Sequence, residues 1–237
     1  MKLTVVGLPI GNIEDISLRA VRTITESDMV ICEDTRMFSN LWAKLIQLSK
    51  AEKLTVPLRF LNDFNEERML PKILNDASSL EKVVLVSDAG MPLISDPGYK
   101  LIKSGIEMGW EIDVVPGPTA ESAALAISGL PTDKYLFLGF LPKKPGKRNE
   151  VLRSLTEVWK IIPSSVVIYE SPNRLNKLLG EIESALGSDV SLFIGCDLTK
   201  KSQKILRGRI SQIIESLSSI KLKGEVTLVL NNRVSGR

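Results

Sequence analysis

The chain contains no histidine. That absence removes Ser-His-Asp hydrolysis, the usual zinc sites and the commonest general base, leaving proton transfer to Asp, Glu, Lys, Tyr or water. Cysteine is nearly absent too. Cys32 and Cys196 lie far apart in apolar surroundings, with no disulfide or metal-ligand spacing. No apolar run approaches the roughly 18 residues a membrane span needs. The apolar part of the opening MKLTVVG is too short for a signal peptide and reads as a first strand. These absences point to a cytoplasmic protein without a membrane partner. There is no GxGxxG and no P-loop lysine, so neither dinucleotide nor ATP binding is supported. Neither charge dominates. With 31 Lys and Arg against 28 Asp and Glu, the net charge of +3 does not by itself argue for nucleic acid, although local clustering would.

What is present is an ordinary globular composition, 43% hydrophobic and 25% charged, in 237 residues, enough for one large domain or two small ones. The chain is organised around VSDAGMPLISDPG (Val86 to Gly98). The apolar run Lys82–Val86 feeds into it and a helical pattern leaves it after Pro97. Ser87, Ala89, Gly90 and Gly98 let a backbone approach a ligand, Asp88, Ser95 and Asp96 add acceptors, and Pro92 and Pro97 stiffen the loop. Strand, small-residue loop and helix is how open α/β sheets build a ligand crevice.

The first half alternates strand and helix. Strands are expected at Leu3–Gly7, Met29–Cys32, Leu54–Leu58, Lys82–Val86 and Glu111–Val115, which predicts a largely parallel sheet. Asp15 reads as the N-cap of a helix over Ile16–Glu26. Glu33, Asp34 and Arg36 sit where the second strand ends, as site residues or as an exposed turn and helix cap. The polar RFLNDFNEE (Arg59 to Glu67), with interleaved aromatics, reads as a solvated loop or a substrate contact. Pro116-Gly117-Pro118-Thr119-Ala120 separates the halves, with Thr119 as a candidate cap for the helix Ala120–Ser128. Two α/β domains are therefore expected, 1–115 and 116–237. In the second, KKPGKR (Lys143 to Arg148) reads as a basic loop, a solvated hinge or a phosphate contact. Ser171-Pro172-Asn173-Arg174 and Asp197-Leu198-Thr199-Lys200-Lys201 follow strand ends, basic residues continue to Arg209, and the tail NNRVSGR is expected to fray.

Taken together, PIGN, EDTR, VSDAGMPLISDPG, PGPTA, SGLPTDKYLFLGFLP, YESPNRL and LTK resemble the tetrapyrrole methylase superfamily, in order, from Leu3 to about Val229. The SDAG-P-ISDPG block and SGLPTD are specific to its branch of 2′-O-methyltransferases acting on a cytidine in the decoding region of small-subunit (16S) ribosomal RNA. The resemblance implies two α/β domains with a cofactor cleft between them, S-adenosylmethionine as cofactor and a homodimer. It places Asp88, Ala89, Gly90, Pro92 and Ile94 against the cofactor on one side, with Thr119, Ala120 and Tyr169 facing them. Met37 and Asn173 stand where the family commonly carries histidine, and Cys196-Asp197 where it carries Arg-Glu.

Methyl transfer to a ribose hydroxyl needs the 2′-oxygen aligned with the departing sulfur and a route for its proton. Without histidine, the base or positioning candidates are Glu33, Asp34, Glu170 and Lys200, the lysine with Lys201 and Lys204 as neighbouring cations. Arg36, Arg174, Lys143, Lys144, Lys147 and Arg148 are candidate phosphate contacts. The small net charge favours RNA within a preassembled 30S particle. Two other readings stay open: a methylase of a small tetrapyrrole or a diphthamide precursor, and a non-catalytic RNA-binding module of the same fold.

Overall fold

The computed structural model describes residues 1–217, 220 and 222–232. The chain forms two compact units, Met1–Thr119 and Ala120–Arg237. Among the described residues, no helix is long and apolar enough to cross a membrane.

The first unit runs β1 (Lys2–Val6), α1 (Leu18–Thr25), β2 (Met29–Cys32), α2 (Thr35–Gln47), β3 (Leu58–Phe60), α3 (Glu66–Ala77), β4 (Lys82–Leu85), α4 (Tyr99–Glu107) and β5 (Glu111–Val115). Every strand pair is parallel, in the order β3-β2-β4-β1-β5. Side chains that alternate along each strand serve two cores. Val6, Val30, Cys32 and Val84 meet Ala20 and Ile24 of α1 and Phe38, Trp42 and Leu45 of α2. Leu3, Val5, Met29, Ile31, Val83 and Leu85 meet Ile73 and Ala77 of α3 and Leu101 of α4. A parallel sheet buried on both faces explains why these strands read as continuous apolar runs. The chain winds from β1 to β3 with its helices on one face and returns with α3 and α4 on the other. The helices change faces between the neighbours β1 and β4, the position at the carboxyl edge where open α/β sheets carry their ligand loops.

The second unit carries α5 (Ala120–Ser128), β6 (Tyr135–Phe140), α6 (Pro145–Ile161), β7 (Ser165–Glu170), α7 (Pro172–Leu186), β8 (Ser191–Cys196), β9 (Lys204–Arg209), α8 (Ile210–Leu217) and β10 (Val226–Asn231). Its sheet is mixed, β6-β7-β10-β8-β9, with only β6 and β7 parallel. Leu152, Leu155, Leu178, Ile182 and Ile213 of α6, α7 and α8 bury against Ile168, Ile194 and Leu228. The small-residue helix α5 packs against β7, β8 and β10, and Arg207 of β9 donates to the Ile127 carbonyl near its end at 2.7 Å. A guanidinium at a helix carboxyl end is favourably placed against the helix dipole.

Several local expectations are corrected. The third strand is Leu58–Phe60 rather than Leu54–Leu58, because Pro57 has no amide for a ladder. The first helix is capped by Ser17, whose hydroxyl accepts from Ala20 N at 3.0 Å. Asp15 instead closes a 3-10 turn begun at Asn12. KKPGKR is a loop only through Lys144: Pro145 takes the first turn of α6, where proline's fixed φ suits a helix start. Lys204–Arg209, read as a basic cluster, is strand β9. Asn231 does not fray; it is buried and donates to Ser165 Oγ at 3.1 Å. Asn232 is exposed, and the remaining tail, 233–237, lies outside the described residues.

Candidate active site

Three loops meet at the carboxyl edge of the first sheet. Leu8, after β1, and Gly90, after β4, exchange backbone hydrogen bonds of 2.8 and 3.1 Å. Gly7 and Gly117, from the loops after β1 and β5, touch backbone to backbone: a Cβ on Gly7 would lie 2.6 Å from Gly117 Cα. Gly117 N–H also donates to Met91 Sδ at 3.2 Å. The β4–α4 loop takes positive φ at Gly90 (78°), Leu93 (74°), Ser95 (68°) and Gly98 (116°). Left-handed backbone at Leu93 and Ser95 costs roughly 1 kcal/mol or more each and is held only by its surroundings, as in ligand loops. Along this loop Asp88, Ala89 and Ile94 are exposed while Gly90 and Pro92 are buried.

Five carboxyls gather here: Glu33 and Asp34 after β2, Asp63 after β3, and Asp88 and Asp96 after β4. Asp34 N–H donates to Asp88 Oδ1 at 3.1 Å, which ties the β2 and β4 loops together. The Asp34 carboxylate itself caps α2, accepting from Arg36 N at 2.8 Å and from the Arg36 guanidinium at 2.6 Å. The Arg36 side chain holds Asp34 down to about 2, too weak a base to take a hydroxyl proton near neutrality. Glu33, Asp88 and Asp96 move the opposite way. Burial, then the charge of Asp88, raises Glu33, and burial, then the charge of Asp34, raises Asp88. Asp96 is pushed up to about 7 by burial and by the charges of Glu33, Asp88 and Asp63, against a lowering hydrogen bond from Ser87. In the sequence Asp96 is only one acceptor among several in its loop. Its partial burial among like charges singles it out, and spacing does not encode that. Among the described residues no group of His, Cys, Asp and Glu is arranged to hold a metal ion.

In the second unit, Tyr169 lies against Phe137 and Phe140, ring centroids 4.9 and 5.7 Å away. A bulge in β6 between those phenylalanines brings both onto it. The Tyr169 hydroxyl donates to the buried Glu121 carboxylate and accepts from Glu121 N–H at 3.2 Å. Thr119 and Ala120 lie at the start of α5.

Other candidates are held elsewhere. Glu170, 2% exposed, accepts from Ser171 N at 2.6 Å and from Arg174 at 2.8 Å. It is a buried structural ion pair, not an accessible base, and Arg174 is correspondingly engaged. Arg148 does not face phosphate: it is buried, paired with Glu181, and donates to the Pro142 and Lys143 carbonyls at 2.9 and 3.0 Å. Burial alone would lower the Lys200 ammonium, but Glu225 (2.8 Å) and Asp197 (3.2 Å) outweigh it and raise it, opposite to what a lysine base needs. Arg207 covers the Phe193 ring and Arg209 pairs with Asp189, so both are occupied within the unit. Lys143, Lys144 and Lys147 remain exposed at the start of α6, which has no side-chain cap hydrogen bond.

The same architecture and length recur in known proteins. Residues 2–214 match the family model of tetrapyrrole (corrin/porphyrin) methylases. A Thermotoga maritima protein named ribosomal RNA small subunit methyltransferase I is 40% identical over 232 residues, 98% of this chain and 99% of that one. A relative of the same name from Mycoplasmopsis pulmonis is 37% identical over 96% of both chains. Among solved structures, the methyltransferase CobJ aligns with TM-score 0.71 at 18% identity, covering 99% of this chain and 95% of that one. A Thermus thermophilus uroporphyrin-III C-methyltransferase solved with S-adenosyl homocysteine aligns with TM-score 0.66 at 17% identity over 98% of each. The parallel first sheet, the mixed second sheet and this full-length similarity agree: the chain belongs to the tetrapyrrole methylase family.

Proposed function

We propose that the protein transfers a methyl group from S-adenosylmethionine to the ribose 2′-oxygen of a cytidine in the decoding region of small-subunit ribosomal RNA, acting as a homodimer on the 30S particle. The observation that carries this is similarity over essentially the full length to relatives named for the small ribosomal subunit. The branch-specific SDAG-P-ISDPG block, built into the strained β4–α4 loop, supports it. The residues there fit such a cofactor. Ser87, Ala89 and Gly90 present little side chain, and the carboxyls of Asp88, Glu33 and Asp96 favour a sulfonium cation. Asp88, Ala89, Gly90, Pro92 and Ile94 are assigned to it, with Thr119, Ala120 and Tyr169.

When bound, S-adenosylmethionine supplies the activated methyl group. The chain's part is to align the 2′-oxygen and accept its proton. As the 2′-oxygen takes up the methyl group that the cofactor would supply, the hydroxyl proton would pass to a carboxylate of the chain. Asp96, held near 7, is matched to that role, because it is ionised just above neutrality and then retains the proton. Glu33 beside it is the second candidate, and Asp34 positions the loop through its backbone bond to Asp88. Lys143, Lys144, Lys147 and the exposed Arg36 supply phosphate contacts.

The test is transfer of tritiated methyl to purified 30S subunits lacking the modification, beside naked 16S RNA and 50S subunits. Label on 30S alone is expected. Label on none of them, with the cofactor bound, overturns the reading in favour of a binding role or a small-molecule substrate.

A further inference from the structure

The loop after β3 holds a phenylalanine in an unusual state. Phe64 is 102% exposed, as bare as in an extended peptide, and no other large apolar side chain among the described residues is exposed as fully. Singly exposed apolar residues are common and by themselves mean little. Here the loop is built to hold one. Asn62 Oδ1 accepts from Phe64 N at 3.2 Å and from Asn65 N at 3.1 Å. Asn65 Oδ1 returns the bond to Asn62 N at 2.8 Å, and Asn65 itself is buried. Leu61, 2% exposed, anchors the entry, and Glu66 N–H on Asn62 O at 2.9 Å starts α3. The two crossed asparagines fix a turn whose tip projects an aromatic ring into solvent. Such side-chain turns are rigid without any apolar packing at the tip.

The tip stands beside the carboxyl cluster. Asp63, the residue before Phe64, is near enough for its charge to act on both Glu33 and Asp96. Phe60, at the end of β3, is 41% exposed on the same loop. A bare aromatic ring carried on a hydrogen-bonded turn at the rim of a site acting on a ribose meets the chemistry of an unpaired nucleobase, which stacks on aromatic faces without needing hydrogen bonds.

We propose that Phe64 is a substrate-contacting residue on which an unpaired nucleobase of the RNA, the target cytosine or its neighbour, stacks while its ribose is presented to the carboxyl cluster. This inference rests on the RNA reading above. Phe64 acts on binding and orientation, not on the proton.

The experiment measures steady-state methyl transfer to 30S subunits by the full chain and by Phe64→Ala, Phe64→Leu and Phe64→Trp, with cofactor affinity from calorimetry as the fold control. Stacking predicts a KM for 30S subunits raised about 5- to 100-fold in Phe64→Ala. Phe64→Leu should be nearly as impaired, Phe64→Trp should return to wild type, and cofactor affinity should stay unchanged in all three. If Phe64→Ala matches wild type, the inference is wrong while the RNA reading stands. If Phe64→Leu rescues as well as Phe64→Trp, the contact is a general apolar one, such as a protein surface, and stacking is refuted. If wild type transfers no methyl to 30S subunits, the RNA reading fails and the inference falls with it.

Discussion

Replacing Asp96 with asparagine should make the protein more stable at pH 8 and nearly inactive. Asp96 moves from the ordinary aspartate value of 3.8 to about 7, first because it is buried and then because Glu33, Asp88 and Asp63 carry like charge nearby. Between those two values the folded chain binds a proton that the unfolded chain does not. Stability therefore falls as pH rises through that window and stays reduced above it. At about 1.36 kcal/mol per pH unit, the full difference corresponds to roughly 4 kcal/mol. Partial contact with solvent screens this to about 2 kcal/mol. Asparagine keeps the shape and a hydrogen bond to the Ser87 hydroxyl but has no charge to bury. Urea unfolding at pH 5 and pH 8 reads most of the effect: the wild type should lose about 1.3 kcal/mol relative to Asp96→Asn over that interval, judged by midpoint at constant slope. Methyl transfer by the variant should fall about 10²- to 10⁴-fold, the usual contribution of a positioned base, with cofactor affinity retained. Wild-type kcat/KM should rise with pH through about 7 and lose that step in the variant. A variant with wild-type pH dependence of both stability and rate would refute the assignment.

Removing the buried Arg148 leaves the half-buried Glu181 without its partner, so Arg148→Ala should cost about 3 kcal/mol in urea unfolding, with Arg148→Met milder. Gly117→Ala places a Cβ 2.8 Å from the Gly7 backbone and should cost about 1–3 kcal/mol while weakening cofactor binding measured by calorimetry. Cys32, pushed up to about 12 by burial and then by the charges of Asp88 and Asp34, should resist iodoacetamide at pH 8 in the native chain and react when unfolded. Neutralising Lys143, Lys144 and Lys147 together should weaken 30S binding and flatten its salt dependence, with cofactor affinity unaffected.

The sequence carries the strands β1, β2 and β4 as apolar runs because both faces of each are buried, and gives β5, a largely exposed edge strand, and α5 at the bounds observed. It misplaces β3, where proline breaks the pattern, and hides β9, whose Lys204, Arg207 and Arg209 make an edge strand look like a basic loop. The ligand loop is legible from composition alone, since small residues and proline mark it directly. The partners of charged residues are not. Arg148 reads like its exposed neighbours Lys143, Lys144 and Lys147, yet the turn of α6 directs it inward onto Glu181. Glu170 and Lys200 look like candidate bases until Arg174 and Glu225 are found against them. Asp96 reverses this: its chemistry arises from neighbours on three separate loops that only the folded sheet assembles.

The most direct test of the account is to map the methyl group by mass spectrometry of ribosomal RNA digests after reaction with labelled S-adenosylmethionine. A 2′-O-methyltransferase of this specificity adds one methyl, on the 2′-oxygen of a decoding-region cytidine. A methyl on a base, on a nucleotide elsewhere, or on no RNA at all while a tetrapyrrole is methylated instead, would contradict it.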